Sequence, residues 1–144
     1  MIDVFTGDFD FLSNIYKIEK GRYTLEHLFQ AAKTLDQNWK KVILNAPKPG
    51  KAKKYGRVCP KRSDWEDIKL DVMEGLVRDK FRDTSLALKL TDTFPDRLVE
   101  GNIWHDNFWG DCGCDRCKNV TGKNHLGRIL MKIRKEIIES GRYK

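Results

Sequence analysis

The chain has 144 residues, 40% hydrophobic and 34% charged, and its 28 Lys and Arg against 21 Asp and Glu leave a formal charge of +7. That length suits one domain able to bury a core without disulfides, so a single domain over residues 1–144 is expected. No stretch approaches the roughly 18 consecutive apolar residues of a transmembrane helix, and Met1-Ile2-Asp3-Val4-Phe5 carries an acid where a secretory signal carries basic residues, so a soluble chain of the reducing cytoplasm, with no membrane partner, is expected.

Taken in chain order, short apolar runs broken at Gly7 and at Lys20-Gly21 predict strands over Asp3 to Phe5, Ile15 to Glu19 and Arg22 to Tyr23. Thr24 is the N-cap of a helix from Leu25 to Leu35, with Leu25, Leu28, Phe29 and Ala32 on one face and Glu26, Gln30 and Lys33 on the other. Asp36 caps a second helix reaching Leu44. Pro47-Lys48-Pro49-Gly50 interrupts it, because proline removes a donor and clashes with the preceding turn, and a basic helix resumes at Lys51. Between Lys48 and Arg62 the basic residues Lys48, Lys51, Lys53, Lys54, Arg57, Lys61 and Arg62 have no acid among them. Such a run reads either as a solvated basic face or as a patch for phosphate.

Ser63 with Glu66 three residues on forms a capping box for a helix that carries Trp65, Ile68, Val72 and Leu76 toward Phe81. Lys69 and Lys80 fall inside its apolar arc, where a lysine either snorkels out along its methylenes or, held in a pocket, serves as nucleophile or anion clamp. A short helix is expected from Thr84 through Leu90 and an extended segment at Leu98-Val99-Glu100. A last helix carries Leu126, Leu130, Ile133 and Ile137 to a stop at Gly141. The fold class is therefore α+β, mainly α-helical, with a small β component near the N-terminus.

Between Trp104 and Asn124 periodicity is lost and chemistry is dense. Cys112-x-Cys114-x-x-Cys117 offers three thiols at close spacing; a structural zinc would need a fourth ligand, with Cys59, His105 or His125 as candidates, and three free thiols is the plainer reading. A cysteine nucleophile would need a base beside its thiolate, which the sequence does not place. Trp65, Trp104 and Trp109 read equally well as core.

Together these residues resemble the YbiA-like or NADAR family over nearly the whole chain, from Phe5 to Arg134. The resemblance rests on Phe11-Leu12-Ser13-Asn14, then Tyr23-x-x-Glu26-His27-x-x-Gln30-x-x-Lys33, then Ala52-Lys53-x-x-Gly56-Arg57. It continues through Arg62-x-Asp64-Trp65 with Met73 and Lys80-Phe81 behind it, Leu98-Val99-Glu100 and Asp106-x-x-Trp109-Gly110. It closes on Gly122-x-Asn124-x-Leu126-Gly127 and Leu130-Met131-x-x-Arg134. The Cys112 to Cys117 stretch departs from the simpler family pattern.

The resemblance implies a compact, mainly helical fold and an N-glycosidase that hydrolyses a ribosyl C–N bond. Its substrate would be a phosphoribosylamino-pyrimidine of riboflavin synthesis, or ADP-ribosylated guanine in nucleic acid. No cofactor would be required, a structural zinc apart. Such chemistry needs a carboxylate and a hydrogen-bond donor, because positive charge builds on the sugar and negative charge on the leaving base. Glu26 and Asp106 are the first candidates, although an acid in the first turn of a helix is also favourable without any catalytic role. Lys80 is the alternative, as a Schiff-base nucleophile. Trp65 and Trp109 would stack on the base; Asn14, Gln30, Lys33, Arg57, Asn124 and Arg134 would hold hydroxyls or phosphate; and Gly110 and Gly127 would let backbone approach the ligand. The competing class is a basic nucleic-acid-binding module with a Cys-stabilised loop and no catalysis.

Overall fold

A computed structural model describes residues 1–18 and 23–143. The chain forms two compact units, one of Asn14–Lys80 and one of Met1–Ser13 with Phe81–Lys144. It is mainly helical with small two-stranded sheets, and no described helix is long and apolar enough to cross a membrane.

In the first unit, β1 (Lys17–Ile18) pairs antiparallel with β2 (Tyr23–Thr24), Lys17 opposite Thr24 and Ile18 opposite Tyr23. The expected strands ran on through Glu19 and began at Arg22; those residues and the Lys20-Gly21 break lie outside the described ones. Helix α1 (Leu25–Ala31) starts at Thr24 as expected but ends short of Leu35. Arg62 donates its backbone N–H to the Lys33 carbonyl at 2.8 Å, so the segment after α1 is tied to distant chain instead of continuing the helix. Asp36 caps α2 (Gln37–Leu44), its carboxylate accepting from the N–H groups of Asn38 and Trp39. Helix α3 (Pro49–Val58) begins on proline, where the missing N–H costs nothing. Helix α4 (Trp65–Lys80) starts two residues after Ser63, and the Glu66 carboxylate goes to Lys69 at 3.1 Å, so the predicted box is not what starts it. Around α1 pack α2, α3 and α4, over a cluster of Ala31, Ile43, Ala46, Ala52 and Cys59.

In the second unit, the expected strand at Asp3 to Phe5 is absent. Ile2 alone makes a parallel bridge to Leu98, with Ile2 N–H on the Arg97 carbonyl and Val99 N–H on the Ile2 carbonyl, each at 2.8 Å. A 3₁₀ turn over Gly7–Leu12 buries Phe11 and Leu12, and Phe11 meets Phe81 edge-on. Helix α5 (Thr84–Asp92) packs on α6 (His125–Ser140), which stops at Gly141 in a left-handed conformation. The β component also reaches beyond the N-terminal part: β3 (Gly101–Asn102) and β4 (Asp111–Cys112) form a parallel pair within the loop region.

Asn124 holds this unit's centre. It adopts left-handed φ 52 and ψ 44 at the start of α6 and is 3% exposed. Its Oδ1 accepts from Glu100 N–H and its Nδ2 donates to the Leu98 carbonyl, both at 2.9 Å. Gly127, one turn on, faces the same Leu98 carbonyl, which a Cβ there would overlap. Asn124→Ala loses two buried hydrogen bonds and replaces asparagine, which tolerates the left-handed conformation, with a residue that does not. We expect it to cost about 3–5 kcal/mol in denaturant unfolding. Asn124→Gly, free of the backbone penalty, should cost about 1–2 kcal/mol less than Asn124→Ala.

Candidate active site

The face of α1 toward Glu26 is set from both ends. Thr24 accepts from His27 N–H at 3.3 Å and returns its own backbone N–H to His27 Nδ1 at 3.3 Å, a reciprocal cap. An N–H can only donate, so Nδ1 is the acceptor and the ring proton sits on Nε2, which donates to the Ala46 carbonyl at 3.0 Å. Buried and fully used, His27 is a structural histidine that fixes α1 against the chain before α3. Glu26 N–H in turn donates to the Asn14 carbonyl at 3.0 Å, while the Asn14 amide reaches Met73 Sδ at 3.6 Å.

Within that frame Gln30 donates from Nε2 to Glu26 Oε1 at 2.7 Å. Its other end, Oε1, is buried without a hydrogen-bond partner among the described residues. Gly56 of α3 lies against this carboxamide so closely that a Cβ there would overlap Oε1. The glycine therefore admits Gln30 to the helix contact, and the contact leaves Gln30 little freedom except to hold Glu26, which is half-buried.

Lys33, also half-buried, lies in the turn just past the end of α1. Burial pushes its ammonium below the usual lysine range; Glu26 opposes that shift, and the like charges of Lys61 and Lys53 add to it. Its Nζ lies 5.8 Å from the centre of the Phe29 ring. Lys61 donates to the carbonyls of Arg57 and Cys59, each at 2.8 Å, closing the end of α3. One carboxylate and two further ammonium groups thus act on the Lys33 charge, an arrangement that suits a phosphorylated ligand.

The remaining candidates of this unit are differently placed. Arg57 is exposed on α3. Trp65 is 7% exposed and packs on Phe29 with ring centres 5.1 Å apart, which gives it a core role instead of an open stacking face. Lys69 snorkels to Glu66, whereas Lys80 is 5% exposed with Nζ 5.5 Å from the Tyr16 ring centre.

Asp106, Trp109, Gly110, Asn124, Gly127 and Arg134 belong to the other unit. Asp106 Oδ1 accepts from the N–H groups of Phe108 and Trp109 at 3.1 and 2.9 Å, which caps a turn. Trp109 is half-buried, edge-on to Phe108. Gly110 is pressed against the Glu100 carbonyl. Both ends of the Asn124 carboxamide serve the backbone, as above. Arg134 donates to Thr93 Oγ1 and the Asp96 carbonyl at 2.9 and 2.8 Å, and burial lowers its pKa. Asn124 and Arg134, expected from sequence to touch substrate, make these hydrogen bonds within the fold, and Gly127 lies against the Leu98 carbonyl. In the same unit His105, Cys112, Cys114 and Cys117 bring their ligand atoms within 4.8 Å of one another, a group able to hold a metal ion.

Sequence reasoning missed Tyr16, which no pattern marks, and Lys61, which stood only as one member of a basic run. A cleft in the second unit lined by Asp8, Asp10, Asp92 and Asp96 with Lys89 carries too much negative charge to favour phosphate.

Fold and site define a small α+β domain of the YbiA-like type, with a carboxylate held on a helix face. The NADAR domain family matches residues 6–138, and the chain belongs to that family. It is 37% identical over 136 residues to the N-glycosidase YbiA of Shigella flexneri, covering 91% of this chain and 81% of that protein. A riboflavin biosynthesis protein of Vibrio vulnificus is 38% identical over 121 residues, 82% of this chain and 31% of that protein. The NMR structure of the Escherichia coli protein YbiA superposes with a TM-score of 0.78 at 33% identity, covering 99% of this chain and 89% of that one.

The Lys33 shift has a signed consequence. The folded state binds the Lys33 proton less tightly than the unfolded chain, so a penalty on folding is present at neutral pH and fades as pH rises through the lowered value toward 10.5. Lys33→Met is expected to raise the melting temperature near neutral pH, with a gain that shrinks in alkaline buffer. A melting series across pH for both proteins checks this.

Proposed function

We propose that this chain is a cytoplasmic N-glycosidase that hydrolyses the bond between a ribosyl carbon and a nitrogenous base in a phosphorylated substrate, with Glu26 as its central carboxylate. The observation that carries this reading is the 2.7 Å hydrogen bond from Gln30 to Glu26 on α1, with Lys33 just past the end of that helix and under the influence of the Glu26 charge. As the C–N bond breaks, positive charge grows on the sugar, and a carboxylate fixed in direction both stabilises it and orients the attacking water. Gln30 supplies that fixed direction, because it is itself clamped beside Gly56. Lys33 would hold a phosphate oxygen: its ammonium is destabilised by burial and gains from a dianion. Asn14 and Arg57 are proposed to contact sugar hydroxyls or phosphate.

Glu26 ranks ahead of the other two catalytic candidates on physical grounds. Asp106 already commits Oδ1 to a turn. Lys80 is 5% exposed with its Nζ over the Tyr16 ring, a position less open to a substrate than that of the half-buried Glu26.

For the substrate, the name of the Vibrio relative supports a phosphoribosylamino-pyrimidine. A second reading, ADP-ribosylated guanine in nucleic acid, is favoured by the exposed Lys51, Lys54 and Arg57 along α3, which would engage a polymeric backbone. Release of free base from each substrate, followed by chromatography, separates them. Wild type should act on one, and folded Glu26→Gln should be slower by about 10²–10⁴-fold. No release from either substrate, with salt-sensitive binding to nucleic acid, would sink the glycosidase reading in favour of a binding module.

A further inference from the structure

We propose that His105, Cys112, Cys114 and Cys117 bind one zinc ion in a closed, structural site that staples the loop between β3 and α6.

The distances among the donor atoms are compatible with the corners of a tetrahedron around one ion. With Zn–S near 2.3 Å and Zn–N near 2.05 Å, a tetrahedral Cys₃His site has N···S edges of about 3.6 Å and S···S edges of about 3.8 Å. Here His105 Nδ1 lies 3.3 Å from Cys114 Sγ, 3.4 Å from Cys117 Sγ and 4.0 Å from Cys112 Sγ, and all four donor atoms fall within 4.8 Å of one another. None of the thiols is in a disulfide, and three thiols cannot all be paired among themselves.

The backbone is shaped for the same end. His105 adopts φ 70, a left-handed conformation costing a Cβ residue about 1–2 kcal/mol, and this turn aims its ring at the thiols. Cys112 arrives from β4, whose parallel partner β3 holds Asn102, three residues before His105. Asn102 Oδ1 accepts from Trp104 and Asp106 N–H, and Asn107 Oδ1 accepts from Cys112 N–H, so the two arms carrying the ligands are cross-tied on either side of the cluster. Cys114 and Cys117 bracket a 3₁₀ turn, Cys117 N–H donating to the Cys114 carbonyl at 3.0 Å.

There is also a need for such a staple. Ile103, Trp104, Asp115, Arg116, Lys118, Asn119 and Val120 are exposed while Cys112 and Cys117 are buried, so the segment has little apolar packing of its own. Long loops lacking regular structure are uncommon unless something orders them. Three thiolates and an imidazole at tetrahedral spacing select zinc over harder cations, and four protein ligands leave no open position for water or substrate. Binding releases three thiol protons to solvent. Because Asp106 follows His105 directly, the ion would fix the start of the Asp106 to Gly110 turn.

Metal analysis of wild type purified without chelator tests this, together with Cys59→Ser, Cys114→Ser and His105→Ala. We expect about one zinc per chain in wild type and in Cys59→Ser, whose thiol is buried elsewhere, and strong loss in Cys114→Ser and His105→Ala. Should those variants fail to fold, cobalt-loaded wild type decides: tetrahedral d–d absorption with a thiolate-to-cobalt charge-transfer band is expected. Folded wild type that holds no zinc and takes up neither zinc nor cobalt overturns the proposal, as does full zinc retention in both ligand variants.

Discussion

The approach of Gly56 to Gln30 is the contact on which the functional reading depends. Any side chain at that position of α3 would occupy the space of the Gln30 carboxamide. With none there, α3 closes on α1, Gln30 is buried, and its donor end has Glu26 as acceptor at 2.7 Å. An unpaired acceptor at the other end is the cost, about 1–3 kcal/mol for a buried carbonyl in proteins.

Much of the helical framework was legible because caps are local. Thr24, Asp36 and Gly141 each mark a boundary through their own hydrogen bonds or backbone conformation, and periodicity carries the segments between them. The Ser63 to Glu66 pattern marks the start of α4 to within two residues, although the Glu66 carboxylate itself goes to Lys69, one turn away on an exposed face. The Leu25 to Leu35 pattern runs past the true end of α1 because the Arg62 bond to the Lys33 carbonyl is not a local event.

Site residues were harder to read because polar residues of the same type serve two purposes. Nothing in sequence distinguishes Gln30, which holds a carboxylate, from Asn124, which holds the backbone at Leu98 and Glu100. Arg134 at helical spacing looks free for phosphate, yet its guanidinium closes the turn from Thr93 to Asp96. Cysteine spacing supplied three candidate donors, and the structure brings His105, from among His105, His125 and Cys59, to within 4.8 Å of them in a group able to hold a metal ion.

The central claim is that the Glu26, Gln30 and Lys33 face receives a phosphorylated ribosyl group. Titrating ribose 5-phosphate into isotope-labelled protein and following backbone amide shifts by NMR tests it most directly. Saturable shifts centred on α1, Asn14 and Lys33 are predicted. Shifts confined to the exposed lysines of α3, with α1 unmoved, would contradict it.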